Sequence, residues 1–215
     1  MRGDTPGKAR FAWYGLGLLA ATLLLLALSY AGRAAMADLA TMRARAGVMQ
    51  LKREGRMPTS LESRDYLTTL EAAVATAPDN SQLYEDIGYL YAVRGTAALR
   101  FPAIARSMLD KALFSYQLAA RYRPMDSHAW SSIALSKHFL DQSDPVLWGA
   151  YDKAMAYGGN EPETQVALFM VGLTRWSELG PLRQQALLAA YRRARPQLKD
   201  RLAPLVAQSG LSDFK

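Results

Sequence analysis

The chain has 215 residues, half of them apolar, with 26 basic residues, 19 acidic residues and no cysteine. This composition is too apolar for general disorder, and the lack of cysteine excludes disulfides, thiolate metal sites and thiol catalysis. The charge is uneven: residues 1–56 hold nine Lys and Arg against three Asp and Glu, and the remainder holds 17 against 16. A basic front end on a nearly neutral domain argues against a nucleic-acid partner, which wants a basic face on the folded part, and suits the flanks of a membrane segment.

Residues 1–10 form a basic tail with Arg2, Lys8 and Arg10. Residues 11–32, FAWYGLGLLAATLLLLALSYAG, then run for 22 positions without a charge. As a helix this run spans about 33 Å, enough for a hydrocarbon core of about 30 Å. Trp13 and Tyr14 lie near one end and Tyr30 near the other, where aromatic rings favour the interface. The pattern predicts a single transmembrane anchor contacting the bilayer. The competing reading is a cleaved signal peptide, because Ala35-Met36-Ala37 precedes Asp38 as an A-x-A pattern. The apolar run exceeds the usual core of such peptides, about 7–15 residues, which favours a retained anchor. A short basic tail crosses a membrane poorly, whereas long domains cross largely regardless of charge. The expected arrangement is tail inside and domain outside, that is, an inner (cytoplasmic) membrane protein of a bacterial envelope with a periplasmic domain.

Residues 33–57 read as a helical stalk. Ala35, Met42 and Met49 recur every seven residues, with Leu39 and Ala46 between them, as an a/d seam would. Two heptads are short for a coiled coil, so the expectation is that the methionine stripe packs on the following domain, with a homo-oligomer as the alternative. Gly17 and Ala21 form a small-xxx-small pair within the anchor. The basic residues Arg43, Arg45, Lys52, Arg53 and Arg56 would meet anionic headgroups if this helix lay flat.

Residues 58–209 read as a helical domain without strand alternation. Thr59 and Glu62 make a capping box for a helix reaching about Ala77, and Pro78 stops it. Further helices are expected over about 79–95, 102–122, 127–140, 145–157 and 163–179. Gly180-Pro181 stops one helix and starts the next, which reaches about Arg195; a short helix follows Pro196 and ends before Gly210, leaving 210–215 as a polar tail.

Within this array the segment PDNSQLYEDIG (78–88) aligns without gaps on PMDSHAWSSIA (124–134). Pro78 matches Pro124, Tyr84 matches Trp130, Ile87 matches Ile133 and Gly88 matches Ala134. With Tyr91, Ala112 and Tyr116 added, the segment resembles the tetratricopeptide repeat (TPR) family, whose pattern is W-x2-L-G-x2-Y, then A-x3-F, then a closing proline. The resemblance implies an all-α fold, a transmembrane helix followed by a TPR-like solenoid of α-hairpins. It covers about residues 60–160, with departures. The two prolines stand 46 residues apart, placing the excess in a lengthened hairpin over 96–107; Lys137 replaces the expected tyrosine, and Gly159 replaces the next proline. In that family the inner faces of the first helices line a groove. Carried onto this chain, those positions are Gln82, Glu85, Tyr89, His128, Ser131, Leu135 and His138.

No catalytic pattern is present: the two histidines, His128 and His138, stand ten apart, and HExxH, phosphate-loop and nucleophile-elbow motifs are missing. Neither enzyme activity nor a cofactor is expected. Asp141 and Asp144 read as caps, and Glu85-Asp86 as solvated surface. The run Arg192, Arg193, Arg195, Lys199 and Arg201 reads as a solvated face or a second contact surface. The resulting expectation is a membrane-anchored adaptor that binds a protein partner. The "P..SHAW" helix start and degenerate C-terminal half resemble accessory factors of envelope assembly or exopolysaccharide biosynthesis. The alternatives are a cleaved soluble periplasmic peptide-binding protein and a basic peripheral protein that binds anionic lipid or nucleic acid.

Overall fold

The computed structural model describes residues 6–214. Residues 1–5 of the basic tail, the side chains of residues 6–12 and of Asp213, and Lys215 lie outside the described residues. The described residues form nine α-helices: α1 Pro6–Glu54, α2 Ser60–Val74, α3 Ser81–Ala97, α4 Pro102–Tyr122, α5 Ser127–Phe139, α6 Pro145–Gly158, α7 Pro162–Thr174, α8 Pro181–Arg193 and α9 Pro196–Ser209. A short 3-10 turn, Ser212–Phe214, closes the chain. The fold is all-α.

The apolar run and the residues after it form one continuous helix. α1 has 49 residues, about 74 Å of rise, and ends where Gly55 adopts a left-handed φ of 59°. Its large apolar side chains from Trp13 to Tyr30 are all exposed. Among the described residues it is the one helix long and apolar enough to cross a membrane.

The second half of α1 belongs to the core, through a different face from the one the methionine spacing suggests. Ala37, Ala44, Val48 and Leu51 are buried in a cluster with Leu67, Leu70, Leu83, Ile87 and Leu90 of α2 and α3. Thr41 is buried on the same stripe and donates its hydroxyl to the Ala37 carbonyl at 2.7 Å. Leu39, Met42 and Met49 instead face solvent, each more than half exposed. The reason is steric: Gly47 sits so close to Tyr66 of α2 that an added Cβ would lie 2.4 Å from its hydroxyl oxygen. Only the small-residue side of α1 permits that approach. At the end of the apolar run, the Tyr30 hydroxyl donates to Asp79 in the α2–α3 joint at 2.7 Å, which ties a corner of the domain to that run.

The helices beyond α2 stack as hairpins, and the internal repeat is visible as repeated hydrogen bonds. The Tyr84 hydroxyl donates to the Pro78 carbonyl at 2.8 Å, and the Trp130 indole N–H donates to the Pro124 carbonyl at 2.7 Å. Each aromatic thus closes the turn six residues before it. The Gln165 amide makes the same bond to the Gly159 carbonyl, which marks α7 as a third unit, 35 residues after the second. Caps repeat with them: Asn80 accepts from the Gln82 N–H, and Asp126 accepts from the His128 N–H. The 46-residue first spacing is not a long loop. α3 and α4 have 17 and 21 residues against 13 and 14 in α5 and α6, joined by residues 98–101 alone. Gly95 keeps the longer pair together, its missing Cβ leaving room for Leu109.

The third hairpin is looser, for a readable reason. Where the first two units have Gly88 and Ala134, the third has Phe169, fully buried. Its ring packs 5.9 Å from that of Tyr191 on α8, and α7 packs more on α9 than on α8. Phe214 fills the gap, its ring 6.1 Å from Phe169, 5.6 Å from Trp176 and 5.3 Å from Tyr191. The segment 210–215, polar by composition, therefore carries a core plug.

Candidate protein-binding groove

The first helices α3, α5 and α7 lie side by side, and their shared inner face borders a groove of about 360 Å³. The repeat register decides which side chains reach it. Tyr89, Leu135 and Met170 occupy the same step of successive units, and all three line the groove. Two turns earlier His128 and Glu163 are equivalent, with Ser131 and Val166 between the two steps. Ala92, Val93, Phe139 and Ala167 complete a mainly apolar wall, while Leu109 and Tyr116 of α4 form the floor.

Of the seven positions taken from the sequence, Tyr89, His128, Ser131 and Leu135 line this groove. Gln82 and Glu85 sit beyond its His128 end. Gln82 donates to Asp86 at 3.4 Å, and Glu85 accepts from Ser81 at 3.3 Å. His138 is turned away: its Nδ1 accepts from the Arg175 Nε–H at 3.2 Å, and Arg175 also pairs with Asp141 and Glu178. From Leu135 the groove follows the four-residue step to Phe139 rather than the three-residue step to His138, and a helix separates those two directions by about 100°. Among the packing positions, Tyr84, Ile87, Ala112, Tyr116, Ile133 and Ala134 are buried, with Tyr91 and Trp130 half-buried. Gly88 lies directly against the Tyr116 ring.

The Glu85-Asp86 pair is buried, not solvated; the two residues are 5% and 4% exposed. Their partner comes from α1: Lys52 pairs with Asp86 at 2.9 Å and places its ammonium 5.0 Å from the Tyr89 ring centroid. Arg45 reaches the other Asp86 oxygen at 3.9 Å. The groove therefore has a basic group at its rim, which a sequence reading of α3 and α5 alone omits. At the opposite wall Arg201 of α9 grips Glu163 through two bonds of 2.9 and 3.0 Å, holding that carboxyl below the usual range. This pair accounts for one residue of the C-terminal basic run. Asp144 caps α6 as expected and also pairs with Lys137, whereas Asp141, at a φ of 54°, serves Arg175.

Burial and then the nearby Asp126 carboxylate push the Glu85 carboxyl up to about 7, with Lys52 opposing. Its folded value lies above the ordinary 4.5. Protonated Glu85 therefore carries no penalty at acid pH. The penalty grows as pH rises from 4.5 toward 7, where the unfolded chain ionises first, and is complete above that. Glu85→Gln is expected to stabilise the protein by about 1–3 kcal/mol above about pH 8, with the gain vanishing near pH 4. Denaturant melts of both proteins across that range check it; a gain independent of pH would contradict the burial argument.

His128 is held neutral at pH 7, its pKa lowered by burial and then by Lys52. The site thus combines an apolar trough, a carboxyl-rich end and one lysine. This chemistry suits recognition of a peptide or helix. Comparison with protein-family models finds no match, and comparison with curated proteins finds none either.

Proposed function

We infer that the chain is a single-pass membrane adaptor whose TPR-like hairpins capture a protein partner in the groove of α3, α5 and α7. One observation carries the reading: three register-equivalent side chains, Tyr89, Leu135 and Met170, converge on one apolar trough. Such a trough accepts an amphipathic helix or an extended segment through apolar anchors. Because α1 runs without a break into the domain core, the anchor sets the orientation of the groove as well as its distance from the bilayer. Tethering also raises effective concentration, so modest affinity suffices.

Retention of the anchor is supported by the placement of the A-x-A pattern. Ala37 is 2% exposed and lies mid-helix, an unfavourable site for a peptidase that needs extended chain. The inner membrane, the periplasmic side and a role in envelope or exopolysaccharide assembly rest on the tail charge and on the sequence resemblance.

The test is photo-crosslinking in intact cells from a probe at Val166, with a second probe at exposed Leu182 as control. A discrete protein adduct is expected from Val166 alone. Adding Tyr89→Lys and Leu135→Lys is expected to abolish it while far-UV circular dichroism and the melting temperature stay near wild type. Equal adducts from both probes, or an adduct indifferent to the two lysines, would overturn the groove assignment.

A further inference from the structure

We propose that α1 forms a parallel homodimer along the face opposite its own domain, with Ala35, Leu39, Met42, Ala46 and Met49 as the seam. These positions alternate by four and three, the spacing that keeps one stripe facing a partner helix. All five are exposed, with Leu39 at 68%, Met42 at 66% and Met49 at 56%. The buried stripe Ala37, Thr41, Ala44, Val48 and Leu51 lies on the other side of the same helix. The helix thus has two apolar faces, and its own domain uses only one. A copy docked on the seam meets no bulk, because the two domains project outward.

Lipid does not account for this face. From Gly32, the end of the uncharged run, to Met49 the helix rises about 25 Å, and the domain packs along that length. Met49 therefore stands well clear of the hydrocarbon. A second copy is the occupant that the geometry selects. Two copies anchored in one bilayer with one orientation are necessarily parallel and at equal height, so each seam residue meets its own counterpart. The same spacing continues into the spanning helix through Gly32 and Ala21, small residues that permit close backbone approach. The flanking charges agree. In that register Asp38, which also pairs with Arg45 of its own chain at 2.8 Å, faces Arg43 of the second copy, and Arg45 faces the uncharged Gln50; the seam stops at Met49, one step before Arg53. The proposal is independent of the groove assignment, since no seam residue touches the groove.

The chain contains no cysteine, so single cysteines report cleanly. Leu39→Cys, Met42→Cys and Met49→Cys, introduced one at a time in the full-length protein, are expected to give a disulfide-linked species of twice the chain mass on mild oxidation of native membranes. Ala40→Cys and Glu54→Cys, exposed but off the seam, are expected to give little. Adding Leu39→Arg and Met42→Arg to Met49→Cys should reduce its dimer to the level of those controls, with the melting temperature unchanged. Equal linking at all five positions, no linking on the seam, or linking to a protein of another mass would each overturn the proposal.

Discussion

Gly88→Val is expected to destabilise the folded domain by about 2–3 kcal/mol, the opposite sign to what helix propensity predicts. Glycine inside a helix costs about 1 kcal/mol relative to alanine, so a local reading makes any replacement except proline a gain. The tertiary contact reverses this. A Cβ at position 88 would stand 2.8 Å from a ring carbon of Tyr116, and that ring is 4% exposed and cannot swing aside. α3 and α4 would have to separate along a contact that also packs Gly95 against Leu109. Gly88→Ala should show the same sign with a smaller loss, about 1 kcal/mol after the propensity gain is subtracted. Chemical denaturation of both variants measures it. Pairing Gly88→Ala with Tyr116→Leu should recover part of the loss, because the smaller side chain frees the space. If Gly88→Ala proves more stable than wild type, the close crossing is not what retains the glycine.

This glycine shows how far a sequence reading reaches. Local signals were legible: the Thr59–Glu62 capping box forms as expected, Asp144 caps α6 as expected although Asp141 caps none of the described helices, and prolines open α4, α6, α7, α8 and α9. The two-unit repeat was legible because Tyr84 and Trp130 both keep a donor at the same step. The third unit was hidden because Gln165 makes that bond without an aromatic ring, and because Phe169 stands where a small residue is expected. One wall of the groove was missed with it: Glu163, Val166, Ala167 and Met170 all lie on α7. Long-range pairing was equally illegible. Nothing around Glu85-Asp86 announces that Lys52, 34 residues before Asp86, will cover the pair. For α1 the heptad stripe was expected on the domain, and the structure turns Leu39, Met42 and Met49 to solvent instead. Two apolar stripes coexist on one helix, and only the contact of Gly47 with Tyr66 decides which of them meets the domain.

A soluble version that begins at residue 58 is expected to melt more than about 10 °C below one that begins at residue 33. On sequence grounds residue 58 is the natural boundary, because the stalk ends there and the capping box follows. The packing says otherwise. Removing residues 33–57 strips Ala37, Ala44, Val48 and Leu51 from the cluster shared with α2 and α3. Burial of those four side chains stabilises the fold by about 5 kcal/mol, a large share of the roughly 5–15 kcal/mol available to a domain. The cut also removes Lys52 and leaves Asp86, 5% exposed at its side chain, as a buried carboxylate without its nearest cation; breaking such a pair costs about 3–5 kcal/mol. The damage should be local. The second cluster, centred on α4 to α9, draws no residue from α1, so limited proteolysis is expected to cut first within residues 60–97 while the C-terminal hairpins persist. Val48→Asp in the longer version should reproduce much of the loss by placing an unpaired charge in the same seam. Thermal melts of the three proteins decide the matter: if the two truncations melt together, the extramembrane half of α1 is a spacer and the domain stands without it.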